Sequence, residues 1–248
     1  HTPQSNAMGV CFPGIPGIIL GFNENISWGV TNVGQDVLDW LVVDWDEKSS
    51  TYQWGEETKR VEWVEEIIEV KGKTAVVDSV PWTEYGPIWK INTMDGPKDA
   101  IMRWLALEVP QSDEMSAFIG VNQAKNWQEF QNAIRKYNSP PQNFVFASKS
   151  GDIGLQVQGR FPNRTGRYGR FIETAESTKT WSSFIPDNEV PSMKNPTQGF
   201  LASANQVSTD ENYPYYYINA DFRPSRARTI NNKLRELTKA SPKDMMAL

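Results

Sequence analysis

Between Gly17 and Trp82 the chain runs through one short strand-like segment after another: "GIILGF", "ISWGVT", "DWLVVDW", "YQW" and "RVEWVEEIIEVKGKTAVVDSVPW". This crowding is the strongest constraint on the fold. Apolar or alternating runs of this length, rich in Val, Ile, Trp and Tyr, suit strands and are too short for helices. From Lys59 to Val70 charged residues alternate with Val, Ile and Trp, the period-two pattern of a half-solvated strand. "VKGKT" then supplies a Lys-Gly turn into a second strand, so the segment predicts a hairpin.

Helical signals come later and are fewer. "DAIMRWLALEV" places Ile101, Leu105 and Leu107 at an uneven period and is ambiguous. "NWQEFQNAIRKY" is clearer. Trp127, Phe130, Ile134 and Tyr137 fall on one helical face, with Asn126 as N-cap and Glu129 at the third helical position. After Pro140 and Pro141, "NFVFAS", "KSGD" and "IGLQVQG" read as strand, turn and strand. Phe161 to Gln198 reads as loops, and "GFLASAN" as a further strand. "RARTINNKLRELTKA" carries Ala227, Ile230, Leu234 and Leu237 at helical spacing. Strands grouped in runs, not alternating with helices, predict an α+β fold with largely antiparallel sheets. No linker divides residues 1–248, so one domain or part of one is expected. The chain opens without a methionine and stops just after Ser241 and Pro242, an N-cap and a first helical residue. It is therefore expected to be a piece of a longer polypeptide, truncated at both ends.

Composition removes several functions. A net charge of −5 argues against a nucleic-acid partner. The most basic run, Arg160 to Arg170, is broken by Pro and Gly and reads as a solvated loop. The longest apolar run, "IPGIILGF", is too short to span a bilayer, and no targeting segment is recognisable. Cys11 has no internal partner for a disulfide. With His1 as the sole histidine, Ser-His-Asp and Cys-His catalysis and ordinary zinc sites lack their ligands. No Gly-rich phosphate-binding loop occurs. What remains is chemistry by hydroxyls, carboxylates, amides, Arg and backbone N–H groups, or no chemistry.

Six stretches, in order, resemble the penicillin acylase (penicillin amidase) family of N-terminal-nucleophile hydrolases. They are "PGIPGIILGFNENISWGVTNVGQDVLD", "TEYGPI", "AKNWQEF", "QNFVFASKSGDIGLQVQGRFPNR", "GFLASANQ" and "FRPSRARTINNKL". The resemblance implies an αββα sandwich, here incomplete, and an amidohydrolase that cleaves an N-acyl bond of a penicillin-like or other N-acylated small molecule. It implies a nucleophile at the first residue of a processed β chain, usually serine, whose own α-amino group is the base; such an amine needs no histidine. This chain begins with His1, so the nucleophile would lie upstream, in the missing N-terminal part of the β chain. That part and the small subunit are the partners the resemblance implies. By itself the piece is expected to be inactive. The family is commonly exported, which implies a periplasmic or secreted parent.

The family pattern also assigns site residues. The backbone N–H of Asn32 in "SWGVTN" and the side-chain amide of Asn205 in "LASANQ" match the two oxyanion donors, and Arg226 in "SRARTI" matches an arginine beside them. Read from its residues alone, Asn205 is more readily a turn asparagine after a strand, and Arg226 a solvated helix arginine like Arg228. Leu20 and Val30 match residues lining the acyl side, beside Thr31, and all could be plain strand residues. Asp36, the carbonyl of Leu38, Asp39 and the carbonyl of Pro162 match ligands of a structural Ca²⁺ ion, with further ligands expected from the partner chain. An additional aspartate should follow the asparagine, but neither Asp210 nor Asp221 falls at its offset. The alternative is a non-catalytic binding module that stacks a carbohydrate or peptide on Trp40, Trp45, Trp54 and Trp63. Those indoles should then form an exposed face; in the hydrolase most should be buried.

Overall fold

The computed structural model describes residues 6–108, 113–164, 171–174, 181, 183–217 and 222–247. The chain opens with β1 (Met8–Val10), β2 (Leu20–Phe22), β3 (Ile26–Asn32) and β4 (Leu38–Val42). Short strands β5 (Trp45–Asp46), β6 (Thr51–Trp54) and β7 (Glu57–Arg60) follow. Longer strands come next: β8 (Glu62–Ile68), β9 (Val76–Thr83), β10 (Gly86–Thr93) and β11 (Gly96–Trp104). Helices α1 (Leu105–Glu108), α2 (Glu114–Gln123) and α3 (Trp127–Ile134) lead to β12 (Gln142–Ser148) and β13 (Ile153–Gln158). The remainder holds β14 (Glu173–Thr174), β15 (Ser192–Lys194), α4 (Ser225–Glu236) and α5 (Pro242–Met246).

Among the described residues the strands form two six-stranded sheets, ordered β1-β2-β3-β12-β13-β15 and β14-β4-β11-β10-β9-β8, and a small sheet β5-β6-β7. All pairings among these strands are antiparallel except β14 with β4. The α+β, mainly antiparallel expectation holds. So does the β8–β9 hairpin, paired from Glu62 with Trp82 out to Ile68 with Val76. The run read as one strand from Lys59 to Val70 is interrupted at Val61, which is buried. The hairpin's outer part is more solvated than alternation implied, because β9 meets β10 only at Thr83 and Trp82. Ile67, Ile68, Val76 and Val77 are accordingly exposed. "DAIMRWLALEV" resolves into the end of β11 followed by α1.

Side-chain alternation along β3 and β12 sets the layers. Ile26 and Trp28 of β3 and Phe144 and Phe146 of β12 face α2 and α3, packing with Phe118, Val121, Trp127, Phe130 and Ile134. Each fully buried Phe here is worth about 1.5–3 kcal/mol of burial. Helix α3 presents the face its periodicity predicted. Asn126 accepts from the Glu129 N–H at 3.0 Å, and Glu129 reaches back to the N–H of Lys125 instead of that of its cap. The opposite face of this sheet, with Val145, Leu155 and Val157, packs against Phe161, Ile185, Val190 and Tyr217.

A buried ionic junction holds the crossing from β3 to β4. Asp36 and Asp39 meet Arg164, whose side chain is 0% exposed: its Nη2 lies 3.3 Å from Asp36 Oδ1 and 3.0 Å from Asp39 Oδ1. Arg164 Nε also donates to the Asp36 carbonyl at 3.1 Å, and the Trp181 indole N–H donates to Asp39. Arg164 thus corrects the reading of the basic run as a solvated loop; two carboxylates removed from water need a cation beside them. Residues 165–170 of that run lie outside the described residues.

"GFLASAN" is also corrected, since it forms no strand. Gln206 folds back on this segment, accepting from the Ala204 N–H at 2.7 Å and donating to the Ala202 carbonyl at 2.9 Å. These bonds replace a sheet ladder. The expected cap at Ser241 forms a full capping box with Asp244.

Two stability tests follow from this packing. A Cβ on Gly154 would sit 2.3 Å from Trp127 Cζ3, a ring already pressed against Phe130 and Phe146. Gly154→Ala should therefore destabilise by about 1–3 kcal/mol in urea unfolding. Arg164→Met should cost about 3–5 kcal/mol, because it leaves two buried carboxylates facing each other without a counter-charge.

Candidate active site

The site is built on the end of β3. In an antiparallel pair, alternate residues turn their N–H and C=O toward the partner strand. The Val33 N–H bonds the Pro141 carbonyl, and the Lys149 N–H bonds the Asn25 carbonyl, so odd-numbered residues of β3 face β12. Even-numbered residues face the other edge, as the bond from the Asn23 N–H to the Ile26 carbonyl shows. Strand β2 occupies that edge only at Ser27 and Trp28. Beyond it, the N–H and C=O of Asn32 point to an edge that carries no strand among the described residues.

Asn205 and Arg226 arrive at this edge. Asn205 Nδ2 donates to the Asn32 carbonyl at 2.9 Å, and Arg226 Nη2 donates to Asn205 Oδ1 at 2.8 Å. The two contacts fix the amide's orientation. A guanidinium only donates and a carbonyl only accepts, so the NH₂ must face Asn32 and the oxygen Arg226. One N–H of Asn205 is used this way; the second has no partner among the described residues, at the same strand edge to which the N–H of Asn32 points. Asn205 adopts a left-handed φ of 67°, which asparagine tolerates better than most residues. Arg226 stands in the first turn of α4, where the helix dipole disfavours a cation. Its bond to Asn205 offsets that. Arg226 and Arg228 are both exposed, and what sets Arg226 apart is its bond to Asn205.

Leu20 and Val30 line one pocket of about 550 Å³ with Phe12, Ile15, Ile19, Met115, Phe118 and Tyr137. Val30 and Asn32 are alternate residues of β3, so the pocket and the outward peptide edge share the same end of the strand. Thr31 points to the opposite face and does not line the pocket. Its Oγ1 lies 2.5 Å from Ser203 Oγ and accepts from Asn143 Nδ2 at 3.2 Å. Asn143 is a residue sequence reading did not single out. Its only signal was an asparagine inside the strand-like "QNFVFAS", a residue type depleted from strands.

The residues matched to calcium ligands lie at the crossing from β3 to β4 and just before Arg164. Asp36 and Asp39 both face Arg164, Pro162 forms a bridge to Phe184, and Leu38 opens β4 opposite Trp104. Among the described residues no cluster of three or more potential metal-binding side chains occurs. Calcium takes six to eight oxygens. One guanidinium sits between the two carboxylates and offsets one of their two charges, and two side chains with two carbonyls are fewer oxygens than the ion takes, so the residues present do not by themselves complete a calcium site. Asp210 is exposed and caps its own turn by accepting from the Asn212 N–H; Asp221 and His1 lie outside the described residues.

The indoles do not form an open row. Trp54 is buried and stacks on Tyr85 with ring centres 4.0 Å apart, while Trp40 and Trp45 are half-buried. Trp63 is the exposed member of the four, tilted against Trp45 and donating to Ser50 Oγ at 3.0 Å. No described helix is long and apolar enough to cross a membrane.

Comparison with known proteins agrees with this architecture. The chain is 29% identical over 236 residues to the acyl-homoserine lactone acylase QuiP of Pseudomonas fluorescens, covering 93% of this chain and 29% of that protein. It is 28% identical over 201 residues to the penicillin G acylase of Escherichia coli, covering 80% of this chain and 23% of that protein. The chain thus spans less than a third of the length of these relatives. The structure of a thermostable penicillin G acylase from Alcaligenes faecalis superimposes with a TM-score of 0.78 at 23% identity, over 98% of this chain and 44% of that one. The fold is therefore that of the N-terminal-nucleophile hydrolases. A family model described as penicillin amidase matches residues 1–248, and the chain belongs to that family.

Proposed function

We propose that this chain supplies the oxyanion hole and much of the scaffold of an enzyme that hydrolyses an N-acyl bond in a linear amide. The observation that carries the reading is the orientation of Asn205. Its amide is locked between the Asn32 carbonyl and Arg226, with its second N–H unused at the strand edge to which the N–H of Asn32 also points. When a nucleophile adds to an amide carbonyl, the carbonyl oxygen gains negative charge. Two neutral donors already held in place stabilise that charge without reorganising. An asparagine amide does not titrate, so the donor is present at every working pH. Arg226 holds the amide's oxygen, which keeps its NH₂ turned to the reacting side.

These residues supply donors, and the reaction needs a nucleophile beside them. In this reading it is a serine at the start of a processed chain, contributed by the rest of a longer precursor, with its own amine as base. The low histidine content is compatible with that mechanism. The pocket containing Leu20 and Val30 takes the acyl group, and its lining favours an apolar one. The names of the relatives, acyl-homoserine lactone acylase and penicillin G acylase, support an N-acylated small molecule as the substrate class.

Asn205→Ala in the complete processed enzyme should lower kcat by about 10²–10³ with little change in KM. A variant as fast as the wild type on N-acyl homoserine lactone and on penicillin G would refute the oxyanion assignment. Val30→Phe should narrow the pocket and lower kcat/KM for long acyl chains by about 10-fold or more relative to short ones, since each methylene excluded costs about 1–3 kcal/mol. An unchanged chain-length profile would place the acyl group elsewhere.

A further inference from the structure

We propose that Asn143 is a positioning residue that sets the geometry of the donor pair, an inference that rests on the oxyanion reading of Asn32 and Asn205. Asn143 lies on β12 opposite Thr31 and is 1% exposed. A buried asparagine in mid-sheet is costly unless its polar atoms are matched. Here both ends are engaged. Its Nδ2 donates to Thr31 Oγ1 at 3.2 Å and to the Asn32 carbonyl at 3.4 Å, and its Oδ1 accepts from Ser208 Oγ at 3.0 Å.

These contacts join two pieces of chain distant in sequence. One is the end of β3, with the peptide of Asn32. The other is the segment carrying Asn205, anchored on one side by Ser203 to Thr31 and on the other by Ser208 to Asn143. Asn205 sits between these anchors in a left-handed conformation. No regular strand holds the segment, so its position depends on such side-chain bonds. Asn143 touches the Asn32 carbonyl, the same oxygen on which Asn205 rests. One buried amide therefore fixes both donors relative to each other. Its own orientation is unambiguous, because the Asn32 carbonyl can only accept and so selects the NH₂.

Asn143→Asp keeps the shape but turns an acceptor toward the Asn32 carbonyl. In the complete processed enzyme it should lower kcat by about 10–100-fold, the scale on which outer hydrogen-bond partners of a site act, with KM changed little. Added to Asn205→Ala it should cost clearly less than alone, because both act on one unit. Ser208→Ala, which removes a single hydroxyl from a partly exposed loop, should lower kcat by about 3–10-fold and decides the matter if Asn143→Asp fails to fold. A folded Asn143→Asp enzyme with wild-type kcat, or a loss that is fully additive with Asn205→Ala, would show Asn143 to be merely structural. Where Asn143→Asp does not fold, a Ser208→Ala enzyme working at the wild-type rate would show the same. If Asn205→Ala itself retained wild-type kcat, the oxyanion reading would fall first and the role of Asn143 with it.

Discussion

The peptide between Asn32 and Val33 is the constraint on which the site depends. Its N–H is committed to the Pro141 carbonyl, so its carbonyl is turned outward at the edge that β2 has already left. That carbonyl would be a liability at an open sheet edge. Here it organises the site: Asn205 donates to it from one segment and Asn143 from another, and Arg226 completes the chain through Asn205. A single ladder register thus decides which backbone groups are left over, and the leftover groups recruit the amides.

The register is in turn protected by the packing on both sides. The helix layer grips the even-numbered residues of β3 and β12 through Trp28, Phe144 and Phe146, and a slip by one residue would turn these out of the core. Immediately after Asn32 the chain crosses to the second sheet. There Asp36 and Asp39 are tied to Arg164 and Trp181. A buried ion pair of this kind is a poor source of net stability but a strict one of geometry, since each partner is costly to leave unmatched. The crossing therefore fixes where β3 ends, and with it where the peptide of Asn32 faces.

Much of this is legible in the sequence, for identifiable reasons. The β8–β9 hairpin, the β12–β13 pair and α3 follow from local periodicity and turn residues, which are written within a few positions of each other. Asn32, Asn205 and Arg226 can be named only through the family resemblance, because they are far apart in the chain and each alone has an ordinary explanation. Arg164 misleads. A basic run interrupted by Pro and Gly gives no sign that one of its members has two carboxylates waiting for it more than a hundred residues earlier. "GFLASAN" misleads because its apolar residues suit a strand, whereas Gln206 supplies the backbone partners that a neighbouring strand would have given. Asn143 is invisible for the converse reason: strand periodicity places it correctly but is silent on what a buried amide is for.

The central claim is that charge developing on a substrate oxygen is received by the side-chain amide of Asn205 and the backbone N–H of Asn32. The most direct measurement is a crystal structure of the complete processed enzyme with a boronic or phosphonic acid analogue of the acyl group bonded to its nucleophile. The account predicts one analogue oxygen about 3 Å from both Asn205 Nδ2 and the Asn32 nitrogen, with the analogue's apolar tail beside Leu20 and Val30. An oxygen held by other donors, or Asn205 turned away toward solvent, would contradict it.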